Sequence, residues 1–241
     1  MRKSGAIKIA PLFYKMEIKK KLIKKRHELL LLRDKCKYRS KVFIYRIKTW
    51  IRGFFVNQKP DYNKIALCKK LIVCAHPDDE TLFFFSLMQK GTYVICLSNC
   101  GEKTRRQEFF QALDYQEAEG VMFNAPDIQY AQWMWNKIFW KRKFKKIERV
   151  LSEDCEVYTH SIKGESGHCH HFAVGKIVNS CFENFKIRHT VEKVEDAKVL
   201  TESDLMKKTY IMTDIYASQI KMLTRWCPWF DGFMKTDSFL K

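Results

Sequence analysis

The chain has 241 residues, with 45 Lys and Arg against 27 Asp and Glu and a net charge of +18. That length buries a sizeable core, most simply as one domain with an appendage, and the charge locates the appendage. Residues 1–60 hold 19 Lys and Arg against 3 Asp and Glu, net +16, while residues 61–241 hold 26 against 24. The 9 cysteines are odd in number and include no CxxC pair, which argues against a disulfide framework and fits a reducing cytoplasm. A basic charge confined to one end points to phosphates or anionic lipid rather than to nucleic acid along the whole surface.

The first 60 residues read as a basic helical extension. Lys15 to Asp34 carries Ile18, Leu22 and Leu29 on one stripe among lysines. From Arg39 to Phe55, Phe43, Ile47, Trp50, Ile51 and Phe54 recur at helical spacing, with Lys41, Lys48 and Arg52 on the far side. Two readings stand side by side: a helix lying in an anionic membrane interface on its cytoplasmic face, or a helix packed on the protein's own domain. Lys8 and Lys15 break the first apolar run before it becomes a signal peptide, and no stretch reaches the length of a membrane span. Asn57 to Asn63, with Pro60, reads as the linker to a domain over residues 61–241.

In that domain strand-like and helix-like runs alternate. Leu71–Ala75 is an apolar run without alternation, as a parallel strand covered on both faces would be. A helix of roughly Glu80 to Lys90 follows, closed by Gly91, then a strand over Thr92–Leu97. A long helix through Phe109, Leu113 and Glu117 runs to Gly120, ahead of a short strand at Val121–Phe123. Tyr130, Trp133, Trp135 and Trp140 form an aromatic group, Glu156–Thr159 is a further strand, Arg188–Leu200 adds another, and Ser203–Leu223 is helical. The order implies an α/β fold, a Rossmann-like, doubly wound and mainly parallel sheet, and the absence of GxGxxG speaks against a dinucleotide site.

Chemistry gathers at two strand ends. His76-Pro77-Asp78-Asp79-Glu80 emerges from the first strand, where open α/β sheets place their sites. His76 and Asp79, three apart across a turn stiffened by Pro77, can converge on one cation, which leaves Asp78 beside it to move protons. Gly164-Glu165-Ser166-Gly167-His168-Cys169-His170-His171 supplies the missing histidine ligand. Two histidines, one carboxylate and an open position suit a hydrolytic zinc site.

These clusters resemble the PIG-L/LmbE family of zinc-dependent N-acetylglucosaminyl deacetylases, whose signatures are an HPDDE turn and a later GHxxH. The resemblance extends through Gly101-Glu102, Arg105-x-x-Glu108, Thr159-His160 and Tyr216-x-Ser218-Gln219, over roughly residues 68 to 223. It implies one Zn2+ per chain held by His76, Asp79 and His171, with Asp78 as general base and a protonated His168 stabilising the tetrahedral oxyanion. It further implies that Arg105 either contacts the substrate or pairs with Glu102 or Glu108, the substrate being an N-acetylated amino-sugar conjugate that is lipid-linked in the reading favoured by the basic end. Many members carry Asp where this chain has His170, and that Asp helps charge the preceding histidine. A zinc amidase for another acyl or thiol-conjugate amide, and an inactive tethered binding protein, are the alternatives. No nucleic-acid partner is expected.

Overall fold

The computed structural model describes residues 40–56, 58–127, 137–227 and 229–239. The expected helix over Lys15–Asp34 and the aromatic group Tyr130, Trp133 and Trp135 lie outside them. The chain divides into two compact units, Met1–Tyr45 and Arg46–Lys241. Residues 40–45, the described part of the first, are helical.

The second unit opens on helical residues 46–53 (α1) and continues through Tyr62–Leu67 (α2), whose N-cap Asp61 accepts the backbone N–H groups of Asn63 and Lys64. Five parallel strands follow: Lys70–Cys74 (β1), Thr92–Ser98 (β2), Glu119–Ala125 (β3), Glu156–Thr159 (β4) and Ile187–His189 (β5), in the order β3-β2-β1-β4-β5. Register runs Ile72↔Val94 and Val73↔Ile95 on one side of β1, and Ile72↔Tyr158 on the other. The order reverses between β1 and β4, and in open α/β sheets the crevice beyond such a reversal receives the ligand.

The uniform hydrophobicity of β1 has a direct cause. Ile72 and Cys74 enter one core with Phe83, Phe109, Met122 and Tyr216, while Leu71, Val73 and Ala75 enter a second with Ile95, Phe144, Val174 and Phe182. Both faces are covered, so no polar alternation survives in the sequence.

Helices Asp79–Phe84 (α3), Lys103–Tyr115 (α4), Lys137–Glu148 (α5) and Cys169–Asn179 (α6) connect the strands. The run expected as one helix over Ser203–Leu223 is Glu202–Tyr210 (α7), a π turn at Ile211–Ile215, and Ala217–Trp226 (α8). The tail folds over the core: Phe230–Met234 (α9) buries Phe230, Phe233 and Met234, and Thr236–Asp237 pairs antiparallel with Lys198–Val199.

Two elements are shorter than their periodicity suggests. α3 tightens into a 3-10 turn at Phe85–Leu87, where Ser86 donates from its N and Oγ to the Asp237 carboxylate at 2.9 and 2.7 Å. α4 stops at Tyr115, and Gly120 belongs to β3 instead, since a Cβ there would stand 2.6 Å from the Val94 carbonyl oxygen. No helix among the described residues is long and apolar enough to cross a membrane.

Candidate metal centre at the carboxyl edge of the sheet

The end of β1 turns sharply into α3, and the turn is held from several directions. Asp78 sits at φ +104°, a conformation that L residues adopt only under constraint. Its N–H donates to Glu80 Oε2 at 3.0 Å, and Glu80, fully buried, also accepts Thr81 Oγ1 at 2.9 Å and the Tyr216 hydroxyl at 2.7 Å. Arg105, on the first turn of α4, donates Nη2 to Asp78 Oδ2 at 3.1 Å and to the Pro77 carbonyl, and Nη1 to Gln219 Oε1 at 2.7 Å. Asp78 stands at the helix start but makes no capping bond with its side chain, so its carboxylate is left for other work.

The three residues expected to hold metal converge. His76, Asp79 and His171 form a group whose ligand atoms lie within 4.8 Å of one another. His76 Nδ1 is 3.3 Å from Asp79 Oδ2, and His171 Nε2 is 3.3 Å from Asp79 Oδ1. Two imidazoles and one carboxylate suit a borderline divalent ion such as zinc, so the residues present fit the group that the sequence implies. Asp79 is 4% exposed; burial pushes its carboxyl up, yet His171 and His76 hold it well below the usual range. Burial also opposes charge on His171, but Asp79 and Glu165 raise its imidazole to about 10.

Residues without an assigned role in the sequence complete the surroundings. Glu165 Oε2 lies 2.8 Å from His160 Nδ1 and 2.7 Å from His171 Nδ1, the latter a close approach without hydrogen-bond alignment. His160 is fully buried, stacks on His171 with ring centroids 4.0 Å apart, and accepts the Ala75 N–H at Nε2. Glu165 thus stands behind the His171 ring, at its Nδ1, while Nε2 faces Asp79. Asp127, two residues past β3, lies 3.7 Å from His76 Nε2 and 3.6 Å from His170 Nδ1. Its position at a strand's carboxyl end was the one signal that pointed to it, since no motif surrounds it.

Other sequence expectations find definite places. Arg105 spends its guanidinium on the Pro77–Asp78 turn and on Gln219, with Nε buried and without a hydrogen-bond partner. His168 caps the start of α6 and has a buried Nδ1 with no partner. No carboxylate pairs with it among the described residues, and burial together with His171 and His76 pushes it down to about 2. Asp78 is pushed well up by burial and by Asp79 and Glu80, against the pull of Arg105. Cys169 joins none of the metal-capable groups among the described residues, and all eight described cysteines are free thiols.

α1 packs within its own unit. Trp50 Nε1 donates to the Asn124 carbonyl at 3.1 Å, Asn124 Nδ2 donates to the Trp50 carbonyl at 2.7 Å, and Arg46 pairs with Asp127 at 3.5 Å. Gly101 lets the helix close on the β2–α4 loop, since a Cβ there would stand 2.1 Å from the Thr49 carbonyl oxygen. Ile51, Phe54 and Phe55 nevertheless remain exposed, Phe55 by 84%.

A parallel sheet whose order reverses beside a buried histidine–carboxylate cluster defines an α/β protein with a candidate metal-dependent site. Residues 71–182 match the family model PIG-L, described as GlcNAc-PI de-N-acetylase, so that segment is similar to that family. It is also similar to the Acanthamoeba polyphaga mimivirus protein named "Uncharacterized protein L374", with 28% identity over 129 residues, covering 45% of this chain and 56% of that protein. The chain thus spans little more than half the length of that relative.

Proposed function

We propose that the protein is a zinc-dependent hydrolase that removes the N-acetyl group from an N-acetylglucosamine-type sugar in a glycolipid or glycoconjugate precursor. The observation that carries this reading is the convergence of His76, Asp79 and His171, with Asp78 strained beside them, in a segment matched by a family described as de-N-acetylases. A zinc ion bound there supplies Lewis acidity for the amide carbonyl and lowers the pKa of water.

The remaining steps belong to the chain. Asp78, with its raised carboxyl pKa, takes a proton from the attacking water as the carbon–oxygen bond forms, and returns it to the nitrogen as the carbon–nitrogen bond breaks. Acetate and a free amino sugar leave. Arg105 holds the Asp78 carboxylate in place through Oδ2, and of its five donors Nε–H and one Nη1–H remain for a substrate hydroxyl or phosphate. His168 donates a ring N–H to the developing oxyanion, most strongly when protonated.

The test is acetate release by purified protein from a panel of N-acetylglucosamine conjugates that are lipid-linked, nucleotide-linked and polymeric. Turnover of at least one conjugate, abolished by chelation and restored by zinc, supports the reading. Release of a different acyl group alone assigns the site to another amidase, and no turnover with metal bound points to a binding protein.

The exposed Ile51, Phe54 and Phe55, with exposed Lys48 and Arg52 on the same segment, favour attachment to an anionic lipid surface, which would bring the site near a lipid-linked substrate.

A further inference from the structure

His170 stands between Cys169 and His171, and its contacts lie on the opposite side of His76 from Asp79. It is 2% exposed, on the first turn of α6. His76 presents Nδ1 to Asp79 at 3.3 Å, and its other nitrogen, Nε2, lies 2.9 Å from His170 Nδ1. Asp127 Oδ1 stands behind both at 3.7 and 3.6 Å, beyond hydrogen-bond length but near enough to act as a charge. Asp127 is in turn tied to Arg46 Nη1 at 3.5 Å and Asn99 Nδ2 at 3.4 Å.

An imidazole that ligates through one nitrogen carries its proton on the other, and that N–H needs an acceptor, which in most metal sites is a carboxylate or a carbonyl. The atom in hydrogen-bond reach of His76 Nε2 is a ring nitrogen of His170. We propose that His170, backed by Asp127, is the positioning residue of the metal ligand His76. Its Nδ1 accepts the Nε2–H of His76, which fixes the tautomer that leaves Nδ1 for the ion and holds the ring toward Asp79 and His171. The inference rests on the metal reading above. It gives the histidine at this position a role different from charging His168, whose ring lacks a carboxylate partner here. His76, His168 and His170 also form a group with the spacing of a second cation site, with His76 as a bridge, which makes metal stoichiometry the deciding count.

The test uses the purified full chain, stripped with a chelator and titrated with Zn2+ and Co2+ against a competing chelator. Wild type should take one ion. His170→Ala should bind it about 10- to 100-fold more weakly, the range seen when an outer partner of a ligand is removed, and should shift the visible bands of bound Co2+. His170→Asn places an amide oxygen near the lost Nδ1 and should recover most of the affinity and the wild-type spectrum. Asp127→Asn should lose less than His170→Ala. Wild-type affinity and an unchanged cobalt spectrum in His170→Ala overturn the proposal, and so does failure of His170→Asn to bind better than His170→Ala. Two ions in wild type falling to one in His170→Ala overturn it in favour of a ligand role. A wild-type chain that takes no ion refutes the metal reading together with this inference. If His170→Ala does not fold, comparison of His170→Asn with wild type carries the decision, and a loss as large as 100-fold in that variant counts against the acceptor role.

Discussion

Tyr216 donates its hydroxyl hydrogen to Glu80 at 2.7 Å across 136 residues of sequence, and the same Glu80 carboxylate receives the N–H of the strained Asp78. Two neighbours repeat the pattern. Ser218 donates from N and Oγ to Glu108, and Gln219 accepts from Arg105, so the start of α8 clamps the turn after β1 and the first turns of α4. A π turn immediately before Tyr216 swings it into the core, a use of such turns that recurs at functional sites.

Tyr216→Phe keeps the ring and removes that bond. It should cost about 1–2 kcal/mol of stability, because a buried carboxylate loses a donor. Turnover should fall by roughly tenfold while metal content stays at the wild-type value, since Asp78 is displaced and the ligands are not. Metal analysis beside steady-state kinetics checks it, and loss of metal in this variant would contradict the assignment of Glu80 to the Asp78 side of the turn.

Lys208 is fully buried and donates to the carbonyls of Leu82, Phe233 and Thr236 at 2.7, 2.7 and 2.8 Å, which joins α7 to α3 and to the tail. Burial pushes its amine down to about 7 from 10.5, with Asp237 pulling the other way. Below about pH 7 both folded and unfolded chains are protonated there and the group gives no slope; above about 7, up to roughly 10, only the unfolded chain keeps the proton, so stability rises with pH. Lys208→Met removes this rise and leaves three carbonyls unpaired, a loss on the order of 2–4 kcal/mol near neutral pH. Denaturant melts of both proteins from pH 6 to 9.5 test it: a wild-type curve as flat as the variant's would show that the three carbonyls keep the ammonium charged throughout.

Phe54 and Phe55 are exposed by 66% and 84% beside Lys48 and Arg52. If this face meets lipid, sedimentation with anionic vesicles should fall severalfold in Phe54→Ser/Phe55→Ser, salt should weaken the rest, and neutral vesicles should bind little of either protein. Equal sedimentation of variant and wild type on anionic vesicles would remove these two residues from the contact.

What could be read from the sequence was what is local in it. His76 to Glu80 follow a strand and open a helix within a few residues, and the uniformly apolar run Leu71–Ala75 before the first cluster announces a doubly covered parallel strand. The ends of α3 and α4 were hidden because distant partners set them: Asp237 diverts Ser86, and Glu117 at φ +54° closes α4 without the glycine that usually marks such a stop. Gly120 resembles that stop in the sequence, although it serves the close approach of β3 to β2. His160, Glu165 and Asp127 acquire their roles through contacts between loops after different strands, a grouping for which no local pattern exists.

Metal content and turnover measured together on Asp78→Asn and Asp79→Ala test the division of labour within the turn most directly. Asp78→Asn should retain about one zinc per chain and lose on the order of 10² to 10⁴ in rate, the usual cost of removing a general base. Asp79→Ala should lose the metal itself. Release of zinc by Asp78→Asn, or near-normal turnover in that variant with zinc bound, would contradict the roles assigned to these two carboxylates.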